Sequence, residues 1–213
     1  MLTVTTAATE CVFDASGSIV TEAPGAEPVD LAFVKVALSY DFPDLDDQIP
    51  LWIATARERF ETILGRVFVR QTRQVKLDRF YDAIRLPMPE HSADAVQSVT
   101  YIDTSGVEQT LDPSDYRLTA VKSFAGAILR PPRDGSFPDT LCDTEVVTIT
   151  FECGYAPDGA DLTVNVPAVV KSAIIQLVGH MIDQREAYGP KQMFEIPDQC
   201  WDLVTPLRVT WFA

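Results

Sequence analysis

The chain has 213 residues, 46% of them apolar and 23% charged, enough to bury a core as one domain with an elaboration. Its formal net charge of −14, from 17 basic and 31 acidic residues, argues against tight binding to a nucleic-acid backbone, which needs a basic surface. The four cysteines, Cys11, Cys142, Cys153 and Cys200, have no zinc or redox spacing, so reduced thiols and synthesis in a reducing cytoplasm are expected.

The acidity is uneven. Residues 1–50 hold nine acids against the single base Lys35, whereas residues 51–80 hold seven bases and three acids. Such a split is expected where opposite charges meet, within a chain or between chains. No base precedes Lys35, so the charged region of a signal peptide is missing, and the longest apolar run is broken too early to span a bilayer. The sequence therefore reads as a soluble, non-secreted chain with no membrane partner.

Residues 1–27, rich in Thr, Ala, Ser and Gly, read as an extended arm, with short strands possible at Val4 and Val12–Phe13, ordered only if something holds it. Residues 28–65 form the N-terminal helices. Asp30 is a good N-cap for a helix with Leu31, Val34 and Leu38 on one side. DFPDLDDQIP (41–50) is an acidic turn whose carboxylates are expected to start the next helix; it lacks the glycine and terminal glutamate of a calcium loop. That helix runs from about Pro50 to Leu64 with Gly65 as its stop. Arg57 and Glu61 on it are an i, i+4 pair, expected to be exposed and weak.

From Arg66 the apolar period changes to two, and residues 66–155 read as an inserted antiparallel β subdomain. VFVRQTRQVKLDRF is expected as a half-exposed strand and AIRLPMP as a short one stopped by its prolines. VQSVTYID and VEQTL flank a turn at Gly106 and form a hairpin. DPSDY is a turn, AGAILRPP another strand, PPRDGSFPD a proline-rich loop, and EVVTITFECGY the strongest strand.

Residues 156–190 contain the central core helix, PAVVKSAIIQLVGHMIDQREAYG, entered at Pro167 and stopped by Gly189. Val170, Ala173, Ile174, Leu177, Val178 and Met181 follow one apolar face, and Ile175 and Ile182 widen it. A helix this apolar is expected to be packed on more than one side, with a neighbouring subunit as one possible cover. The 191–213 tail crowds Trp201, Leu203, Val204, Leu207, Val209, Trp211 and Phe212 into its length. Two readings stand: the aromatics complete the chain's own core, or they form a terminal anchor for a partner's groove.

No catalytic constellation is visible. His180 sits among core residues without an HExxH or a second cluster, and His91 reads as a solvated loop residue. No GxSxG, phosphate loop or Cys–His pairing occurs, and no catalytic pair can be picked from 31 acids. No enzyme activity, cofactor or metal is expected.

The order of these parts resembles a known family. EPVDLAFVKVAL, an acidic turn and IATARERFETILGR resemble the N-terminal helices of phage head–tail connector (adaptor) proteins. VQSVTYIDTSGVEQTLDPSDYRL resembles the β insertion of one branch of that family, and FECGYAPDGADLTVNVPAVVKSAIIQLVGHMIDQREAYG its strand, glycine turn and helix. Related proteins occur in tailed phages, prophages and gene transfer agents, and the likeness covers roughly residues 27–190.

The resemblance implies an α+β fold, a helical bundle of connector type with the β subdomain inserted before the central helix. It implies a particle neck protein, made in the bacterial cytoplasm. The protein would form a ring, dodecameric in the particle, beneath the portal protein. The ring would extend the DNA channel and dock stopper and tail proteins. At about twelve copies of −14 each it carries roughly −170 formal charges, so double-stranded DNA passes without specific binding. Under it, Trp201, Leu203, Leu207, Val209, Trp211 and Phe212 become a candidate portal-binding tail. The alternatives are another stopper or tail-completion protein and, from a different class, an enzyme using acidic residues.

Overall fold

The computed structural model describes residues 10–12, 17–89, 91–121, 123, 126–155, 161, 163–183 and 196–209. Its contacts divide the chain into a helical unit, Pro24–Arg70 with Tyr155–Ala213, and a β unit, Met1–Ala23 with Gln71–Gly154. The fold is mixed α+β, the β unit interrupting the helical one in sequence.

The helical unit contains α1 (Leu31–Leu38), α2 (Ile49–Leu64), α3 (Ala168–Asp183) and α4 (Asp198–Val204). Asp30 caps α1 by accepting from the Phe33 N–H at 2.7 Å, which satisfies a donor the helix cannot. Gly65, at φ 64°, ends α2 in the left-handed conformation that glycine adopts without a Cβ penalty. Ile49, Ile53, Phe60 and Leu64 of α2 and Val170, Ile174, Leu177 and Val178 of α3 are buried in one apolar cluster. α1 enters it through Val34, with Leu31 and Leu38 packed alongside. Leu38 lies so close to Gly179 of α3 that a Cβ there would come within 3.0 Å of it.

Two expectations about the charges of this unit are corrected. The acids of 41–50 do not start α2, whose first turn contains none; Asp46 instead pairs with Lys35 at 2.7 Å, and Asp44 accepts from the Tyr40 hydroxyl at 2.5 Å. Arg57 and Glu61 are not exposed either, being only 5% and 6% accessible. Arg57 donates to Glu61 at 3.0 Å and to both oxygens of Glu27 at 2.8 and 3.2 Å. The other oxygen of Glu61 accepts from the buried Phe68 N–H at 2.9 Å. The segment 24–29 and the turn after Gly65 both close over α2, and that burial was not written in its own sequence.

The β unit has two sheets. The larger is antiparallel in the order β2 (Ser18–Glu22), β3 (Gln71–Leu77), β9 (Val147–Cys153), β5 (Val96–Ile102), β6 (Glu108–Thr110). The smaller runs β1 (Glu10–Val12), β4 (Ala83–Arg85), β8 (Ile128–Arg130), β7 (Arg117–Thr119), antiparallel apart from the parallel β1–β4 pair. β9 alternates strictly, with Val147, Ile149, Phe151 and Cys153 buried, and Ile149 stands opposite both Val75 and Val99.

β3 is not the half-exposed strand its alternation suggested. It lies between β2 and β9, so Gln71, Thr72 and Arg73 are buried, and Arg73 donates to the side chain and carbonyl of Ser18 at 2.9 and 3.0 Å. Residues 18–22 of the N-terminal segment are held by this pairing; residues 1–9 and 13–16 lie outside the described part.

The burial of the Arg57–Glu61 pair can be tested through stability. Glu61→Ala leaves the buried Phe68 N–H without its acceptor and takes one of the carboxylates from the buried Arg57 guanidinium, and is expected to cost about 3 kcal/mol in denaturant unfolding. Glu61→Gln, which can still accept from Phe68, is expected to lose less. Equal stability of Glu61→Ala and the parent protein would show that the pair contributes nothing.

Candidate interaction surfaces

The described residues contain no group of three or more His, Cys, Asp or Glu side chains able to hold a metal, and no helix long and apolar enough to cross a membrane. Among the described residues, the carboxylates held below their usual range are Asp103, Asp112 and Asp161, each at a surface turn. The cause is local in each case: backbone N–H groups of Val107, Ser114 and Thr163, respectively, lead the hydrogen bonds that favour the ionised form. These acids build turns and do not converge on a common point.

His91 is not solvated. It is 7% exposed, its ring centroid 5.6 Å from that of Phe151, and its Nδ1 accepts from the Ala127 N–H at 3.4 Å. Gly126 makes this packing possible: at φ 96°, a Cβ there would lie 2.4 Å from the Leu86 carbonyl oxygen. Burial pushes the imidazole down to about 4, with a smaller opposing effect from the Pro87 backbone. The ring is neutral at pH 7 and structural. His180, on α3, is partly exposed.

The core-helix positions fall on α3. Val170, Ile174, Leu177 and Val178 are buried, and Met181 is partly buried against the same cluster. Residues 184–190, including the expected stop at Gly189, lie outside the described part. Of the tail positions, Trp201 and Leu203 on α4 and Leu207 after it pack on the helical unit's own core, where Cys200 and Val204 are fully buried. The end of α2 clamps the segment beyond α4. Arg66 donates to the Leu207 carbonyl at 3.2 Å, and Val209, 5% exposed, donates its N–H to the Leu64 carbonyl at 2.8 Å. Trp211 and Phe212 lie outside the described residues.

Two surfaces that sequence reading had not singled out are available to partners. On the helical unit, the outer side of α1 exposes Phe33 at 55% and Val36 at 79%, and the loop after it exposes Phe42 at 68%. The signal was present in LAFVKVAL, whose one charge is Lys35: a helix apolar on every side cannot bury them all in a small bundle. On the β unit, Phe137 of the proline-rich loop stacks on Phe80 at 4.6 Å, and Phe80 meets Tyr101 edge-on. Phe137 thereby separates two open grooves of about 280 and 410 Å³, with Arg79 and Asp82 beside one and Asp115 beside the other.

No family model matches this sequence, and no curated protein does. Solved structures do match by fold. A chain from the neck of an empty gene transfer agent particle, computed with C6 symmetry, superposes with a TM-score of 0.71 at 17% identity, over 92% of this chain and 97% of that one. A chain from the virion of a native gene transfer agent particle gives 0.71 at 16% over the same shares. A third, from the neck of a native particle computed with C12 symmetry, gives 0.64 at 17%, again over 92% and 97%. At this identity the likeness establishes a shared fold along nearly the whole chain.

Two measurements test these surroundings. The folded imidazole of His91 titrates at about 4, below the ordinary 6.5, so on acidification the unfolded chain takes up this proton first. Its contribution is complete above pH 6.5 and is lost as pH falls toward 4, by about 3 kcal/mol in all. The stability difference between the parent protein and His91→Gln, measured against pH, should shrink or reverse over that window; a constant difference would show that the fold does not shift the His91 pKa. Separately, deleting residues 206–213 removes Leu207 and Val209 from the α2 clamp. It is expected to cost about 2 kcal/mol or more, lowering the melting midpoint by roughly 4–8 °C. An unchanged midpoint would show that the clamp contributes no stability.

Proposed function

We propose that this chain is a structural component of a particle neck, the head–tail connector (adaptor) of a phage or gene transfer agent. The observation that carries the reading is the fold shared with gene transfer agent neck structures, over 92% of this chain and 97% of the matched one. The order of parts in the sequence points the same way independently of that match. In this reading copies form a closed ring beneath the portal, extend the channel and provide the platform for stopper and tail proteins. Neck structures computed with C6 and C12 symmetry support a ring of repeated copies, because a heterologous contact repeated about an axis closes on itself.

The charge suits that position. A ring of chains at −14 each repels the phosphate backbone and lets duplex DNA pass without adhering. The role is structural rather than enzymatic. The titratable groups support this, since the perturbed carboxylates are turn builders and the buried histidine is packed against Phe151.

The test is deletion of the gene in the producing cell. Filled heads without attached tails are expected, with tailed particles restored by the gene supplied in trans. Particle mass spectrometry should find several copies of the chain per particle. Normal tailed particles from the deletion strain, or purified particles lacking the chain, would overturn the reading.

A further inference from the structure

Among the described residues of the helical unit, exposed large apolar side chains include Leu51 of α2 and, grouped together, those on the outer side of α1 and the loop after it. Phe33 and Val36 are one helical turn apart and point away from the core that Val34 enters. Ala32 and Ala37 beside them are exposed as well, so this side of the helix carries no charge of its own. Lys35 folds back to Asp46 at 2.7 Å and to the Phe42 carbonyl at 3.1 Å, which holds the next loop against the helix. Phe42 is fixed there by an edge-on contact with Tyr40 at 5.7 Å and remains 68% exposed.

The exposed charged residues that flank this patch in sequence have one sign. Asp30, Asp41, Asp44 and Asp47 are all exposed, and the only base in residues 1–50 is the engaged Lys35. An apolar centre with large side chains and a charged rim is the anatomy of a docking site, the apolar groups supplying affinity and the charges selecting the partner. The same face of a second copy, brought across a two-fold axis, would set these carboxylates against each other. Several cations elsewhere among the described residues are engaged. Arg57, Arg66 and Arg73 are buried, Lys76 pairs with Glu145 at 2.8 Å, and Arg117 donates to the Pro131 carbonyl.

We infer that the outer face of α1, with Phe33, Val36 and Phe42 at its centre, docks a different protein of the particle through an apolar surface rimmed by lysine or arginine. The inference rests on the neck reading for the place where that partner is met, and it assigns this contact to a partner other than a copy of the chain.

The probe is a photo-crosslinking benzoylphenylalanine in place of Val36, carried by the full chain in assembled particles. The expected product is a crosslink to one other particle protein, at a peptide with basic residues next to apolar ones. A crosslink to a second copy, to the same chain or to DNA, or none at all, would overturn the inference while leaving the neck reading intact. Absence of the chain from particles would remove both. As a second arm, Val36→Asp is expected to melt like the parent protein, because the position is 79% exposed, yet to enter particles at least tenfold less. Val107→Asp, at an exposed apolar position of the β unit, should enter normally. Normal entry of Val36→Asp would equally sink the proposal.

Discussion

The helical unit depends on how Glu61 is shared. One oxygen takes the Arg57 guanidinium and the other the Phe68 N–H, so a single carboxylate ties the middle of α2 to the chain beyond its end. Gly65 turns the chain, the Arg66 N–H returns to the Glu61 carbonyl, and Val69 then pairs with Tyr155. Glu27 closes the other side of the guanidinium with a two-pronged contact. Burial opposes the charge on Arg57, and the hydrogen bond it donates to Glu27, with the surrounding carboxylates, more than compensates. The 24–29 segment is thereby fixed to α2 and to the 65–69 turn that follows it.

Much of this arrangement was legible, and the limit is a physical one. Signals that act over a few residues fall where expected: Asp30 caps α1, Gly65 ends α2, and Gly106 at φ 81° turns the β5–β6 hairpin. The alternation of β9 is reproduced residue for residue in its burial. Signals that need a distant partner were misread. The alternation of 71–77 is that of a strand open on one face, but residues 18–22 supply a second neighbour about fifty positions away. His91 looks like a loop residue until Gly126 brings the backbone over it. An i, i+4 pair has the same spelling on a solvated face as under a covering segment, which is how the Arg57–Glu61 pair was misjudged.

The same distinction governs the charges. The split between an acidic 1–50 and a basic 51–80 suggested opposite surfaces meeting, and part of that meeting is internal. Arg57 pairs with Glu27, and Arg73 is buried in hydrogen bonds to Ser18, a few residues from Glu22, which accepts from Thr72. Basic groups drawn inward leave the carboxylates to dominate outside, so the surface is more one-sided than the composition alone implies.

The breadth of α3 also acquires a different meaning. Its apolar residues exceed one face, and a neighbouring subunit was one way to cover the rest. Within the unit, α1, α2 and α4 all pack on α3, and the 196–209 segment supplies Cys200 and Val204 to the same cluster. A helix contacted from three directions needs no further subunit to account for its composition. The tail's apolar crowding has the same explanation as far as Val209, since those side chains complete the bundle and the clamp at Leu64 and Arg66 holds them there. Part of the apolar surplus left on the surface sits on α1, a short helix with one buried residue and two large exposed ones, alongside single exposed positions such as Leu51 of α2. Sequence reading allowed a subunit to cover the most apolar helix, whereas packing within the unit accounts for α3 and leaves α1 with large apolar side chains uncovered.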